Sequence, residues 1–254
     1  MFSGEKLCYN RPNRLERKGF AMERLDKLLA ATGRWSRKEA KALVKAGRVR
    51  VAGVLPQGPE DKVTPGTPVT VDGRLVETET FTYLMLHKPA GVVSATEDSR
   101  DKTVLDLLPP DLRRRGLFPV GRLDKDTEGL LLLTNDGGLA HRLLSPAHHV
   151  NKVYYVEVDG QLDQEDRAVF RRGLVLRDGT VCLPAELTVL DPPSQGLITL
   201  EEGKYHQVKR MLAARGKTVT YLKRLSMGPI TLDPDLPLGA WRPLNRGELG
   251  QLGC

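Results

Sequence analysis

Hydrophobic positions along the chain change period twice. Between Arg24 and Gly47 they recur at helical spacing. Leu25, Leu28 and Leu29 form an i, i+3, i+4 stripe that ends at Gly33. Ser36-Arg37-Lys38-Glu39 reads as a capping box, in which two side chains satisfy each other's free backbone N–H groups. It predicts a second helix with Ala40, Leu43 and Val44 inward and Gly47 as its stop. The period then drops to two. Arg48–Val51 alternates as a half-buried strand, Gly53 turns it, and Val69–Val71 returns before Asp72-Gly73.

After a polar, β-branched stretch at 77–82, read as a linker, longer apolar runs follow. Tyr83–Lys88 predicts a strand that enters a Lys88-Pro89-Ala90-Gly91 turn. Thr103–Leu108 reads as a short helix. Leu117–Val120 and Leu130–Thr134 read as strands, the second closed by Asn135-Asp136-Gly137-Gly138. Leu139–Leu144 is a short helix ended by Ser145-Pro146. Lys152–Val158 alternates, with Tyr154 and Val156 on one face and Val153 and Tyr155 on the other. Gln161–Gly173 predicts a helix with Phe170 inward, and Asp178-Gly179 a hairpin turn after Leu174–Leu176. Thr188–Leu190 and Leu197–Leu200 are further strands. A helix opening at Glu202 and closing at Gly216 has Val208, Met211 and Leu212 as its inner stripe. A strand-rich region with a few helices predicts an α+β chain with a mixed, mainly antiparallel sheet.

Charge adds a direction to this picture. The 254 residues carry 39 Lys and Arg against 32 Asp and Glu, a net +7. Residues 1–50 hold 14 basic and 5 acidic side chains, so the positive excess lies at the N-terminal end. Arg34, Arg37, Lys38, Lys41 and Arg48 cluster around the second helix and are candidate phosphate contacts. Residues 1–21 are polar, without periodicity, and are expected to be disordered. They lack the apolar core of a signal peptide, and Met22 is a candidate true start. Cys8, Cys182 and Cys254 are odd in number and far apart, which predicts neither a disulfide framework nor a zinc site. No membrane association is expected, and the composition suits the cytoplasm.

Candidate chemistry concentrates between the two strands at 117–134. The joining loop carries Asp124, Asp126 and Glu128 in a chain that is basic overall. On residue types alone this is either a site or a solvated turn with Arg122 and Lys125 as counter-ions. His148-His149 lacks partners at metal spacing, so no metal is assigned. Lys204, Lys209 and Arg210 crowd the start of a predicted helix, where free N–H groups favour anions.

Gly121-Arg122-Leu123-Asp124-Lys125-Asp126-Thr127-Glu128-Gly129-Leu130 resembles the signature loop of the RsuA/RluA pseudouridine synthase superfamily. The resemblance implies that Asp124 is the catalytic carboxylate. It implies that Lys209 is the basic residue paired with it, Arg210 being a near alternative. Lys152-Val153-Tyr154 is similar to a Lys-x-Tyr motif whose tyrosine packs on the target base, which points to Tyr154, with Arg210 as a further substrate contact and Arg122 as support. The Lys88-Pro-x-Gly turn matches a motif that is mainly structural in the family, and Lys88 is not counted as catalytic. Residues Met22–Gly73 resemble the S4 RNA-binding domain. The implied boundaries are 1–21 extension, 22–76 S4-like domain, 77–82 linker, 83–249 catalytic domain and 250–254 tail.

Ser145–Tyr154 and Gly203–Arg210 resemble the RsuA branch, whose members modify one uridine of 16S rRNA, conventionally position 516. The implied reaction is uridine-to-pseudouridine isomerisation. It needs no redox step or external group, so no cofactor is expected. The implied partner is 16S rRNA, within an assembling small subunit, and the implied state is a monomer. A 23S rRNA target, a non-catalytic rRNA-binding assembly factor and a metal-dependent nuclease built on the three carboxylates remain open alternatives.

Overall fold

The computed structural model describes residues 22–64, 66–76 and 81–254. The expected disordered extension, Cys8 and most of the expected linker lie outside the described residues. The chain divides into two compact units, 1–80 and 81–254.

In the first unit, β1 (Glu23–Arg24) leads into α1 (Leu25–Ala31), and α2 (Arg37–Lys45) follows. The Ser36/Glu39 capping box is formed as predicted: Ser36 Oγ accepts from Glu39 N at 3.2 Å, and Glu39 Oε2 from Ser36 N at 2.6 Å. Strands β2 (Val49–Val51), β3 (Lys62–Val63), β4 (Val69–Val71) and β5 (Arg74–Val76) complete the unit. β2, β4 and β5 form an antiparallel sheet in that order, and β1 pairs with β3. The pairing of β1 with β3 has no sequence signal, because two-residue strands carry no readable period. Leu25, Leu29, Ala40, Val49 and Val69 are fully buried between helices and sheet.

Asp26 is also fully buried. It receives Arg24 at 3.0 Å, Arg37 at 3.2 Å and Lys41 at 3.9 Å. The Arg24 hydrogen bond, reinforced by Arg37, holds its carboxyl below the ordinary carboxylate range. One buried acid thus ties the start of α1 to α2 through half-exposed cations.

The second unit opens with β6 (Tyr83–Lys88). The predicted helix at 103–108 is a 3₁₀ turn over Val104–Leu107, followed by α3 (Pro110–Arg113). Then come β7 (Phe118–Pro119), β8 (Glu128–Thr134), α4 (Gly137–Leu144) and β9 (Lys152–Asp159). Helix α5 (Gln164–Arg172) starts three residues later than predicted, because Asp163 and Asp166 form a capping box there. Hairpin β10 (Leu174–Val175) and β11 (Val181–Cys182) precedes β12 (Glu186–Val189) and β13 (Gln195–Leu200). The chain closes with α6 (Gln207–Ala214), β14 (Thr218–Met227), β15 (Ile230–Thr231), β16 (Trp241–Pro243) and α7 (Arg246–Leu252). Helix α7 takes in Gly250–Leu252, which the sequence reading placed in a tail.

Among the described residues nine of these strands build one sheet, ordered β12-β13-β9-β14-β8-β6-β16, with β15 on β14 and β7 on β8, while β10 and β11 pair apart from it. The β8–β14 pair is parallel and the other ladders are antiparallel. β14 was not predicted, yet its ten residues stand between β9 and β8. β6 and β8 are buried on both faces, which accounts for their unbroken apolar runs. Leu84, Leu86, Leu131 and Leu133 join Phe170 of α5 and Met211 and Leu212 of α6 on one face. Met85, Leu130 and Leu132 join Leu139 and Leu143 of α4 and Leu252 of α7 on the other.

Candidate active site

The acidic loop sits at the β8 end where Lys88 pairs with Gly129. Three neighbours hold it from behind. Ser94 Oγ donates to Leu123 O at 2.9 Å and accepts from Leu123 N at 3.0 Å. Gly91 N donates to Lys125 O at 2.7 Å. The fully buried Lys88 ammonium donates to Thr127 O at 2.8 Å, to Asp124 O and Pro89 O at 3.0 Å, and to Lys125 O at 3.4 Å. Burial pushes the Lys88 pKa down to about 8, against the pull of Asp126, Asp124 and Glu128. The Lys-Pro-x-Gly turn is therefore the back wall of the loop.

A glycine is obligatory where the loop becomes strand. Gly129 has φ +107°, and a Cβ there would lie 2.2 Å from the backbone oxygen of Arg224. This close approach lets β8 and β14 run parallel at Glu128 and Gly129.

Of the three carboxylates, two belong to one cluster and the third does not. Glu128 starts β8, and its Oε2 accepts from the Tyr221 hydroxyl at 2.7 Å. Lys209 Nζ stands 2.5 Å from Asp126 Oδ1 and 3.5 Å from Asp124 Oδ2. The sequence paired Lys209 with Asp124 alone; the structure gives it both aspartates, with Asp126 the nearer. Its hydrogen bond keeps the Asp126 carboxyl below the ordinary range. His206 Nε2 is 3.4 Å from Asp124 Oδ1, on the other oxygen. The sequence assigned His206 no role, and its signal was weak, since a lone histidine before a helix is commonplace.

α6 begins at Gln207, five residues later than predicted. Residues 202–206 form a turn tied by Gln207 Oε1, which accepts from Lys204 N at 2.9 Å. Lys204 lies in that turn and pairs with Glu202 at 2.5 Å. Arg210 departs from its predicted place: Nη2 pairs with Asp178 Oδ2 at 2.5 Å, because α6 points it toward the β10–β11 hairpin.

Asp124 opens onto a cleft of about 70 Å³. Leu123, Tyr154, Val208 and Leu222 line it with apolar surface, and Arg122, Lys204 and His206 with polar groups. Tyr154 is buried and shares the inner face of β9 with Val156, as the alternation predicted, while Tyr155 faces the opposite side and bonds Glu157 at 2.7 Å. Arg122 is exposed at the cleft, without an ion pair among the described residues. Behind Tyr154 stands its cross-strand partner Arg224, which is buried and donates to Leu130 O at 2.8 Å. Its hydrogen bond to a main-chain oxygen 94 residues away could not be read from the chain.

The remaining predicted positions scatter. His149 Nδ1 is 2.8 Å from Glu201. In the first unit, Arg37 and Lys41 turn to Asp26, and Arg48 forms a two-point pair with Asp72 at 2.8 and 2.5 Å. Arg34 and Lys38 are exposed and carry no ion pair among the described residues. A wider groove of about 660 Å³ runs beside α2, with Lys41 and Lys45 on one wall and residues 55–60 on the other.

Residues 82–214 match the RNA pseudouridylate synthase family. The chain belongs to that family. It is therefore an RNA pseudouridine synthase, an isomerase, and residues 23–71 match the S4 domain. The uncharacterized RNA pseudouridine synthase YtzG of Bacillus subtilis is 52% identical over 230 residues, covering 89% of this chain and 96% of that protein. The ribosomal small subunit pseudouridine synthase A of Pseudomonas aeruginosa is 46% identical, covering 89% of this chain and 98% of its own. A crystal structure of a pseudouridylate synthase superposes with a TM-score of 0.65 at 34% identity, covering 91% of this chain and 99% of that one. These matches place the synthase in the α+β class with an N-terminal S4 domain.

Proposed function

We propose that this synthase isomerises one uridine of 16S rRNA, acting in the cytoplasm on the assembling small subunit. The reading rests on one arrangement: Asp124 fixed between Lys209 and His206 at the mouth of a narrow cleft walled by Tyr154. Its likeness to a small-subunit enzyme over nearly the full length supports the choice of target.

The uridine leaves its stack, because its glycosidic bond and both ring edges must be reached. Its uracil enters the apolar cleft against Tyr154, whose plane supplies a stacking surface. Asp124 works at the sugar, as a nucleophile at C1′ or as the base that takes a sugar proton. The N1–C1′ bond breaks, the uracil turns, and C5 bonds to C1′ as the Asp124–C1′ bond breaks on the first route, or as Asp124 returns the proton to the sugar on the second. The C5 proton then leaves as the C5=C6 double bond is restored, and N1 gains a proton. Lys209 holds Asp124 and Asp126 together, and Arg122 braces the RNA strand at the rim. Arg34 and Lys38 contact phosphates in the S4 domain.

The test is pseudouridine mapping by carbodiimide and primer extension on rRNA from a deletion strain and its parent. Loss of one small-subunit signal, restored by wild type and not by Asp124→Asn, is expected. Asp124→Asn also retains RNA affinity. A large-subunit signal lost instead would overturn the target. Normal modification by Asp124→Asn would overturn its role.

A further inference from the structure

At the cleft rim one large aromatic side chain is left in solvent. Tyr205 is 68% exposed, yet its ring is stacked on His206 with centroids 3.9 Å apart and planes 17° apart. His206 in turn touches Asp124. A carboxylate, an imidazole and a phenol therefore form a row that leads out of the cleft.

The backbone is bent to make this row. His206 has φ 47° and ψ 36°, the left-handed region that a residue with a Cβ occupies only at a cost in free energy. No helix cap offsets that cost, since the His206 side chain accepts nothing from α6. What the bend achieves is the parallel placement of two rings beside the carboxylate. The cations near the turn are each held by a carboxylate, Lys204 by Glu202, Lys209 by Asp126 and Arg210 by Asp178.

We propose that the stacked Tyr205–His206 pair is a nucleobase platform, on which the base next to the target uridine in the RNA strand rests while the uridine occupies the cleft. The proposal rests on the reading of that cleft as the uridine site. Extracting a uridine strips its neighbour of a stacking partner. A phenol face replaces that partner whatever the base, because every base has a π-face. Tyr205 is the outermost ring of the row, so its free face points away from the reacting carboxylate.

A cycle between side chain and base tests this with the full-length enzyme. The substrates are a synthetic rRNA fragment that carries the target uridine and the same fragment with an abasic nucleotide immediately 5′ or 3′ of it. Tyr205→Ala is expected to lower kcat/KM on intact RNA about 10-fold or more, and Tyr205→Phe to stay near wild type. One of the two abasic fragments should cost the wild type a similar factor and the Ala variant almost nothing. If the losses multiply at both neighbours, or Phe behaves like Ala, the platform is refuted. If wild type leaves the 16S fragment unmodified, the target assignment fails, and the cycle is run on the fragment whose signal the deletion strain loses.

Discussion

Replacing Lys88 by Met separates holding the loop from holding the fold. Four main-chain oxygens lie within 3.4 Å of the ammonium. A hydrogen bond from a charged donor contributes about 1.5–3 kcal/mol. Against this, the fall of the Lys88 pKa from 10.5 to about 8 corresponds to about 3 kcal/mol against the buried charge. Methionine fills similar volume, removes both contributions and leaves four oxygens without their donor, so the net loss of stability should be about 3 kcal/mol or more. Activity should suffer far more. Asp124 is carried by the oxygens that lose their donor, and a misplacement of about 1 Å costs on the order of 100-fold. Release of tritium from C5-labelled uridine in RNA reads turnover, and urea unfolding reads stability. pH adds a second signature. Burial holds the pKa of folded Lys88 at about 8, against 10.5 for an unfolded lysine. Raising the pH across that window relieves the buried charge, so stability rises; it also takes a donor from the loop, so kcat falls. Lys88→Met should show neither trend. A variant with wild-type kcat, or one whose activity falls only as far as its folded fraction, would refute the argument.

Gly129→Ala should be destabilising by about 3 kcal/mol or more, read as a fall in urea midpoint, because the new methyl meets backbone that cannot yield. Asp26→Asn should cost the first unit about 2 kcal/mol, the half-exposed cations limiting the loss. Since the Asp26 pKa is lowered in the fold, its contribution is present above the ordinary carboxylate pKa and is lost as pH falls through the folded value. The Asn variant should lack that acid-dependent part, measured by circular dichroism between about pH 2 and 5. EDTA should leave turnover unchanged, whereas a two-metal nuclease would stop.

What the chain revealed depended on distance along it. The Ser36/Glu39 box spans three residues and was readable, as was the alternation that separates Tyr154 from Tyr155. The loop motif marked Asp124 because its neighbours are contiguous. The Lys88 turn is legible as a structural motif, but the grip of Lys88 on the loop is not, because its partners lie up to 39 residues away and are main-chain oxygens, which have no sequence. β14 escaped because Lys223-Arg224 breaks its apolar pattern, and only the fold explains a buried guanidinium there. The start of α6 was misplaced because side-chain bonds of Glu202 and Gln207 hold a turn where propensity favours helix.

The central place of β14 also has a consequence for synthesis of the protein. β9, which carries Tyr154, joins β8, which follows Asp124, only through β14, and β14 is made after both. The nascent chain therefore has Arg122, Leu123, Asp124 and Tyr154 before it has a cleft, because Leu222 of the lining lies in β14 itself. Catalytic competence arrives late in translation, in one step, when the last long strand inserts between two that already wait for it. A truncated chain ending before Thr218 should be inert as an isomerase while its S4 domain is complete.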